Sequence, residues 1–347
     1  MSNDVRINSS LSTVLNKLDA TDALIDAIGL MLYGNSVIDY TRLNFKSDSE
    51  IENFLKLNNF ILTEPRASRR LYHIYNDALG YLSSLDIDIP QEFKEPIDIK
   101  DLFRYASYMK GSKIFSKISC SILKVMHIIH HLESRELMYR TSISIERLFS
   151  ACEEKVSRAI SNLNRSGIPI YHYSTSRDNI FDRITRLTAR KEIIAAQLFE
   201  KASFKIITEK KEDILFVLKH LCSNVFPFNY VVPGHSSNNY FDLLTALKST
   251  DEFSKKIDIY QFTKDIPTSD SMPDHIYLRV DIPLDLNLLG INIDDDTSER
   301  LGYTIFSLTD FIITDIESHR RYEQSQNNSL NQKLIMKRDA ISRLTRE

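Results

Sequence analysis

The sequence predicts an α+β protein, in which an N-terminal all-helical domain precedes a mixed sheet with flanking helices. From Leu11 to about Asn164, apolar residues recur at spacings of three and four and glycines are few, a pattern typical of amphipathic helices. After Gly167, short β-branched and aromatic segments alternate with helical periodicity, which indicates strands joined by helices. A chain of 347 residues is long enough for two domains. We expect a helical domain over 1–165 and an α/β domain over 166–347.

Caps and periodicity predict each element of the helical half. The expected helices run from a cap at Asp19–Asp22 to Tyr33, then over Asp48–Leu57, Arg66–Leu85, Asp101–Lys110, Phe115–Tyr139 and Ile145–Asn164. The segment Asp86–Ile99 carries Pro90 and Pro96, so it is predicted to be a connecting loop.

The second half is predicted from strand-like runs and the helices between them. The expected strands are Ile168–Tyr173, Phe204–Thr208, Ile276–Ile282 and Tyr303–Ile313, and the expected helices are Asp178–Gln197, Glu212–Cys222 and Ile316–Leu344. We expect an insertion around residues 245–300. Its acidic stretch Asn292–Glu299 lacks the turn glycine of a calcium loop and is predicted to be exposed.

Composition excludes several classes of partner. The formal net charge is −3, so no whole-molecule field attracts duplex DNA or an anionic membrane. No apolar run is long enough to span a bilayer, and the first residues lack the apolar core of a signal peptide. Three scattered cysteines do not form a disulfide framework, which favours a reducing cytoplasm.

Two carboxylates and a set of basic groups are the candidate chemistry of the second half. Glu200 lies five residues before Lys205 in a strand-like run, and Asp310 lies in the last predicted strand. Arg177 precedes a helix on which Arg183 continues a basic face. Carboxylates bind Mg²⁺ and arginine forks match phosphate geometry, so these residues fit a phosphate site. They equally fit a solvated basic helix and an ordinary edge strand, and the residues alone leave both interpretations open.

Four segments in this order resemble the synthetase domain of the RelA/SpoT-like alarmone synthetases, a nucleotidyltransferase-like domain. They are Tyr173–Ile184, Glu200–Asp213, Tyr230–Tyr240 and Thr309–Tyr322, and the likeness covers about residues 165–347. Glu200 stands for the family's Asp, Asp310 for its Glu and Asn239 for its Gly. In addition, Thr175 and Asn179 replace a Lys and a Ser, which removes a phosphate-binding charge.

The resemblance implies a bacterial, cytoplasmic pyrophosphokinase of the stringent-response type. It would use Mg²⁺ to move pyrophosphate from ATP to a guanosine nucleotide or to a hydroxyl of an RNA such as tRNA. By resemblance, Glu200 and Asp310 would be catalytic and hold the metal, Arg177 and Arg183 would bind the phosphates of ATP, and Lys205 a phosphate of the acceptor. Tyr240 would stack on the acceptor base, with His235 in the same loop.

Two other readings stay open. The substitutions at Thr175, Asn179 and Asn239 also fit a catalytically degenerate relative that binds a nucleotide or a protein partner as a regulator. A third possibility is an interaction protein that works through the helical half, as a partner-binding surface or a homo-oligomer. In that half, His127 and His131 share a helix face, but no third ligand has a telling spacing, which favours a polar helix packed on the second domain over a zinc site.

Overall fold

The computed structural model describes residues 27–29, 31, 43–94, 97–177, 180–189, 202–232, 235–239, 274–325 and 327–345. In chain order the elements are α1 (Asp48–Leu57), α2 (Pro65–Ser84), α3 (Gln91–Lys94), α4 (Ile99–Ala106), α5 (Lys113–Arg140), α6 (Ile145–Arg165), β1 (Ile170–Arg177), α7 (Ile180–Ala189), β2 (Ala202–Thr208), α8 (Asp213–Asn224), β3 (Ser237–Asn238), β4 (Ile276–Asp285), α9 (Asp295–Leu301), β5 (Thr304–Asp315), α10 (Ile316–Ser325) and α11 (Asn327–Leu344). None of the helices within these residues is both long enough and apolar enough to cross a membrane.

The strands form one mixed sheet in the order β1-β2-β5-β4-β3. β2 and β5 are parallel, whereas β1 pairs with β2 and β4 with β5 in antiparallel fashion. β4 and β5 pair over ten positions, from Ile276–Ile313 to Asp285–Thr304. The region expected as an insertion therefore contributes a full-length strand of the sheet.

Local signals fix the helix starts. Ser47 accepts a hydrogen bond from the Glu50 amide, and α1 has the predicted bounds. The acidic stretch at 292–299 was expected to be exposed, and its acidic residues are exposed, whereas Thr297 and Ser298 are buried. Asp294 caps α9 by accepting from the Thr297 amide at 2.7 Å, so Thr297 is buried in a helix.

Two hydrophobic clusters divide the molecule. One joins α1, α2, α4 and the first half of α5, with Leu71, Leu102 and Met126 among its members. The other lies on the sheet and includes Leu137 from the end of α5 as well as α6 and α8. The division between the two clusters therefore falls within α5, and the domain bounds 1–165 and 166–347 stay a prediction.

Candidate functional site

A row of polar side chains crosses three neighbouring strands. In the pairing register Ser203 of β2 lies beside Asp310 of β5, and Asp310 lies beside Arg279 of β4. Side chains of paired residues point to the same side of a sheet, and those of sequence neighbours point to the other. Phe204 and Phe311 are accordingly fully buried on the opposite face. We call the face that carries Ser203, Asp310 and Arg279 the polar face.

An ion pair is the centre of this face. The Nε of Arg279 donates to Oδ1 of Asp310 at 2.9 Å, and Asp310 is only 4% exposed. The same guanidinium donates to the Tyr277 hydroxyl at 2.7 Å and to Nδ1 of His235 at 3.2 Å. Burial alone would lower the pKa of Arg279, but the hydrogen bond and charge of Asp310 outweigh it and raise that pKa. The pair is therefore ionised.

Tyr277, which accepts from Arg279, is held in its neutral form. Burial, followed by the charge of Asp310, raises the pKa of Tyr277, so its hydroxyl stays protonated. The amide of Arg279 donates to Ser236 Oγ at 3.3 Å, and β3 pairs with Tyr277. The segment that carries His235 thus lies along the β4 edge of the polar face, and the predicted residue His235 contacts Arg279.

Lys205 occupies the next row on the same face. It pairs with Ile312, which also pairs with Tyr277 on the other side. Its Nζ donates to Nδ1 of His319 at 3.2 Å, and Nε2 of His319 lies 3.3 Å from Glu323. Burial lowers the pKa of Lys205, and burial with the charge of Lys205 lowers the pKa of His319. The ammonium is partly buried and lies on the same face as Asp310, and an anion beside it would offset the burial that lowers its pKa.

Arg177 lies on the other face of the sheet. β1 extends to Arg177, four residues beyond its predicted end, and Arg177 pairs with Ala202 on the buried side. Its guanidinium contacts Glu153 of α6 at 3.2 Å and lies over the ring of Phe149. The resemblance implies that Arg177 binds the phosphates of ATP at the site of Asp310, whereas the two-residue alternation of the strands places Arg177 and Asp310 on opposite faces.

For three of the predicted site residues the structure describes no side chain. Glu200 and Tyr240 lie outside the described residues. Arg183 is within α7, but its side chain is not described. Within the described residues, the polar row supplies one carboxylate, Asp310, and Arg279 neutralises it. Since Mg²⁺ is held by one or two carboxylates plus phosphate oxygens, Asp310 fits such a site only with a second oxygen donor and a displaced Arg279.

The side of α5 that packs on the sheet carries a buried histidine cluster, on the same side of the sheet as the polar face. The rings of His127 and His131 are 4.5 Å apart, and His131 stacks on Phe306 at 4.4 Å. Burial lowers the pKa of His131 to about 4 and that of His127 further below its usual range. Among the described residues no group of three His, Cys, Asp or Glu could hold a metal ion. These histidines pack helix against sheet.

Sequence reasoning missed Arg279, Tyr277 and His319. The signal for the first two was present in the predicted strand at 276–282, where polar residues occupy every second position. Such alternation predicts a second, polar face. His319 had no signal of its own, because only the pairing of β2 with β5 brings α10 next to Lys205.

No family model matches the chain, and no curated protein sequence matches it. Solved structures do match. The small alarmone synthetase 1 from Bacillus subtilis is 16% identical with a TM-score of 0.32, over 57% of this chain and 86% of that chain. The same protein bound to its product pppGpp is 13% identical with a TM-score of 0.28, over 62% of this chain and 88% of that chain.

A GTP pyrophosphokinase family protein from Streptococcus pneumoniae is 15% identical with a TM-score of 0.31, over 58% of this chain and 87% of that chain. TM-scores this low do not by themselves establish a common fold. The activity of the polar face therefore has to be inferred from this chain's own residues.

Proposed function

We propose that the polar face binds a nucleoside polyphosphate and that the chain is a divergent pyrophosphotransferase. In this proposal it moves pyrophosphate from ATP to a hydroxyl of a guanosine nucleotide or of RNA. One observation supports it most. Lys205 and Asp310 come from distant parts of the sequence, yet their strands are adjacent and parallel and both side chains lie on one face. A cation and a carboxylate on one rigid face are what positioning of a phosphate chain beside a metal or hydroxyl needs.

The cations of the face suit phosphate oxygens. Arg279 offers a planar fork and Lys205 a compact charge, and the two lie in neighbouring rows. A phosphate beside Lys205 would offset the burial that lowers the pKa of its amine. We further propose Arg183 for the phosphates of ATP, and Tyr240 with His235 for the acceptor base. Arg177 is left out, because it contacts Glu153 on the other face.

The reaction needs positioning more than covalent help from the protein. The acceptor hydroxyl attacks the β-phosphorus of ATP, the bond from that phosphorus to the α–β bridging oxygen breaks, and AMP leaves. Arg279 turns from Asp310 to the phosphates, which frees Asp310 to orient the hydroxyl and accept its proton. Lys205 neutralises charge on the transferred group. Mg²⁺, with Glu200 as the second carboxylate beside Asp310, would supply further charge neutralisation to the phosphate oxygens.

A regulator that binds nucleotide without transferring pyrophosphate is the second candidate. The observation that favours it is the ion pair itself, because Arg279 occupies the carboxylate that transfer requires. In this case a nucleotide would bind to Lys205 and Arg279 and would leave unchanged. The two candidates share the binding site and differ only in whether AMP is formed.

Incubation with labelled ATP, Mg²⁺ and GTP, GDP or tRNA separates these candidates. The enzyme should release AMP and form a pyrophosphorylated acceptor, and Asp310→Asn should reduce the rate by about 100-fold or more, because it removes the charge that orients the hydroxyl. Glu153→Gln removes a carboxylate from the opposite face and should leave the rate unchanged. Binding of ATP or GTP without AMP in any mixture identifies the regulator. Absence of binding contradicts both candidates.

A further inference from the structure

A cavity lies at the end of the β4–β5 pair that is remote from the polar face. It has a volume of about 360 Å³ and lies between α2 on one side and α9 with the ends of β4 and β5 on the other. Asp285 and Thr304 form the strand pair at this end, whereas Arg279 and Asp310 form the pair six positions away. Six residues of a strand span about 20 Å, so the cavity is separate from the polar face. Its volume is that of a small-molecule site. We call it the α2–α9 cavity.

Two buried polar side chains that line this cavity carry nitrogen atoms without hydrogen-bond partners. Arg70 is 6% exposed, and its Nη2 donates to Glu133, but its Nε and Nη1 have no acceptor. His130 is 5% exposed, and neither ring nitrogen has a partner. Burial, the neighbouring His131 and Arg70 lower the pKa of His130 to about 3, so the ring is neutral. Buried donors without acceptors destabilise a fold, so a ligand that supplies an acceptor at this place would be favourable.

The stem of Arg70 packs beside Gly302, which also lines the cavity. Gly302 has a φ of +75°, and a Cβ there would be in ordinary contact with Arg70 Cγ at 3.5 Å. Asn59 and Arg66 connect the α2 side of the cavity to the start of β5. Asn59 donates to the Thr304 hydroxyl at 3.3 Å, and Arg66 donates to the Tyr303 hydroxyl at 2.9 Å. These hydrogen bonds hold the walls of the cavity together, as the supporting contacts of small-molecule sites do.

The walls of the cavity have opposite charges. Arg66, Arg69 and Arg70 follow one another at helical spacing along α2 and outnumber Glu64 at its start, so this wall is basic. Asp295 and Glu299 of α9 line the opposite side. Among the described residues neither Arg69 nor Glu299 has an ion-pair partner. A simple anion would meet the acidic wall, and a simple cation would meet the basic one.

We infer that the α2–α9 cavity binds a small zwitterion of the amino-acid type. Its carboxylate accepts hydrogen bonds from Arg70 and the basic wall, and its ammonium group lies against Glu299 and Asp295. Neutral His130 supplies one donor and one acceptor to the same ligand. This site does not depend on nucleotide binding at the polar face.

Calorimetric titration with each of the twenty amino acids tests the inference, with acetate and inorganic phosphate as probes that lack the ammonium group. At least one amino acid should bind saturably with a dissociation constant of about 1 mM or lower, and acetate and phosphate should bind at least about tenfold more weakly. Equal or tighter binding of acetate or phosphate overturns the assignment to a zwitterion. Absence of binding by every amino acid overturns the site.

Substitutions on the two walls locate the binding. Arg69→Gln and Glu299→Gln change exposed residues, so the fold should persist while affinity falls about tenfold in each, because each removes a charge-assisted contact. Arg158→Gln, an exposed arginine of α6, is the matched control and should bind like the unsubstituted protein. Unchanged affinity in both wall variants overturns the inference. Arg70→Met combined with Glu133→Leu replaces the buried pair by apolar groups, and retained amino-acid binding in that folded variant would also overturn it.

Discussion

Asp310 and Asp281 lie on the same face of the same sheet and have opposite environments. Asp310 pairs with Arg279 in the register and is ionised by it. Asp281 is two residues from Arg279 on β4, but it lies under α5, with His131 Nδ1 3.9 Å from its carboxylate. Burial raises the pKa of Asp281 to about 6, an effect that the charge of Arg135 only reduces.

The difference between the two aspartates shows that the environment along one face of the sheet depends on which element packs on it. Where α5 and its histidines cover the strands, charge is disfavoured: burial lowers the pKa of His131 to about 4 and raises that of Asp281 to about 6. Where Arg279 of the next strand pairs with Asp310, the carboxylate is held in an ion pair, and chemistry at it requires Arg279 to turn away. One end of the face therefore serves packing and the other end is the candidate site.

The largest expected effect is that of Asp310→Ala. It leaves the Arg279 charge without its carboxylate in a mostly buried position, so we expect the free energy of unfolding to fall by about 3 kcal/mol at pH 7. Urea denaturation measures this. Asp310→Leu combined with Arg279→Met should recover most of the loss, because no unpaired charge remains. A single substitution within about 0.5 kcal/mol of the parent would mean that the pair is not a stable feature of the face.

Asp281→Asn is expected to stabilise the protein. The folded pKa of about 6 is above the ordinary value of 3.8. The folded state therefore binds its proton more tightly than the unfolded state does, and stability is lost as the pH rises through that window. At pH 7 the substitution should add about 2 kcal/mol, and the gain should vanish near pH 4. Asp88→Asn, an exposed carboxylate, should show no such pH-dependent gain. A loss of stability at pH 7 would contradict the assigned environment.

His131→Phe tests the covered end from the acid side. Burial lowers the pKa of His131 from 6.5 to about 4. A depressed pKa contributes stability that is present above the unfolded value and is lost as the pH falls through the folded one. The phenylalanine keeps the stacking on Phe306 and cannot be protonated, so at pH 5 it should be more stable than the parent by about 1 kcal/mol, with little difference at pH 7.

Thermal unfolding at the two pH values measures the His131 effect. His73→Gln changes an exposed histidine that pairs with Asp77, and it should leave the acid sensitivity as it is. If His131→Phe follows the parent curve through the whole pH range, the histidine is not the source of acid sensitivity.

The smallest expected effect is that of Arg177→Met. This side chain is 44% exposed, so its contact with Glu153 is solvent-screened, and exposed pairs contribute at most about 1 kcal/mol. We expect the free energy of unfolding to change by less than about 1 kcal/mol. A loss as large as that of Asp310→Ala would show that the two faces do not differ in the way described.

Much of the helical half and the identity of the strands could be predicted from local signals. α1 has its predicted bounds because a serine cap and apolar periodicity are both local. Asp310 and Lys205 were also chosen correctly as residues of predicted strands, since the β5 and β2 segments are apolar and β-branched around them. Whether either is functional stays a prediction.

Facing directions could not be predicted, because they depend on pairings between distant segments. Arg177 was expected to bind phosphate at the site of Asp310. However, β1 is longer than its apolar residues indicate, and its pairing register with β2 shifts between Ile170 and His172. One residue of register reverses the face of every later side chain. Arg279 was missed for a related reason, since its partner is in another strand and the sequence around it reads only as an alternating strand.

Equilibrium binding of ATP and of GTP, each with Mg²⁺, to Lys205→Met and Arg177→Met tests the central claim most directly. The claim is that the polar face, and not the α6 face, receives the phosphates. Lys205→Met should weaken binding by about tenfold or more, because a partly buried charge proposed to contact phosphate is lost, whereas Arg177→Met should bind as the parent does. Lys117→Met, an exposed lysine of α5, controls for the loss of one positive charge. Equal binding by the parent and Lys205→Met, with a loss in Arg177→Met, would place the nucleotide on the opposite face and contradict the account.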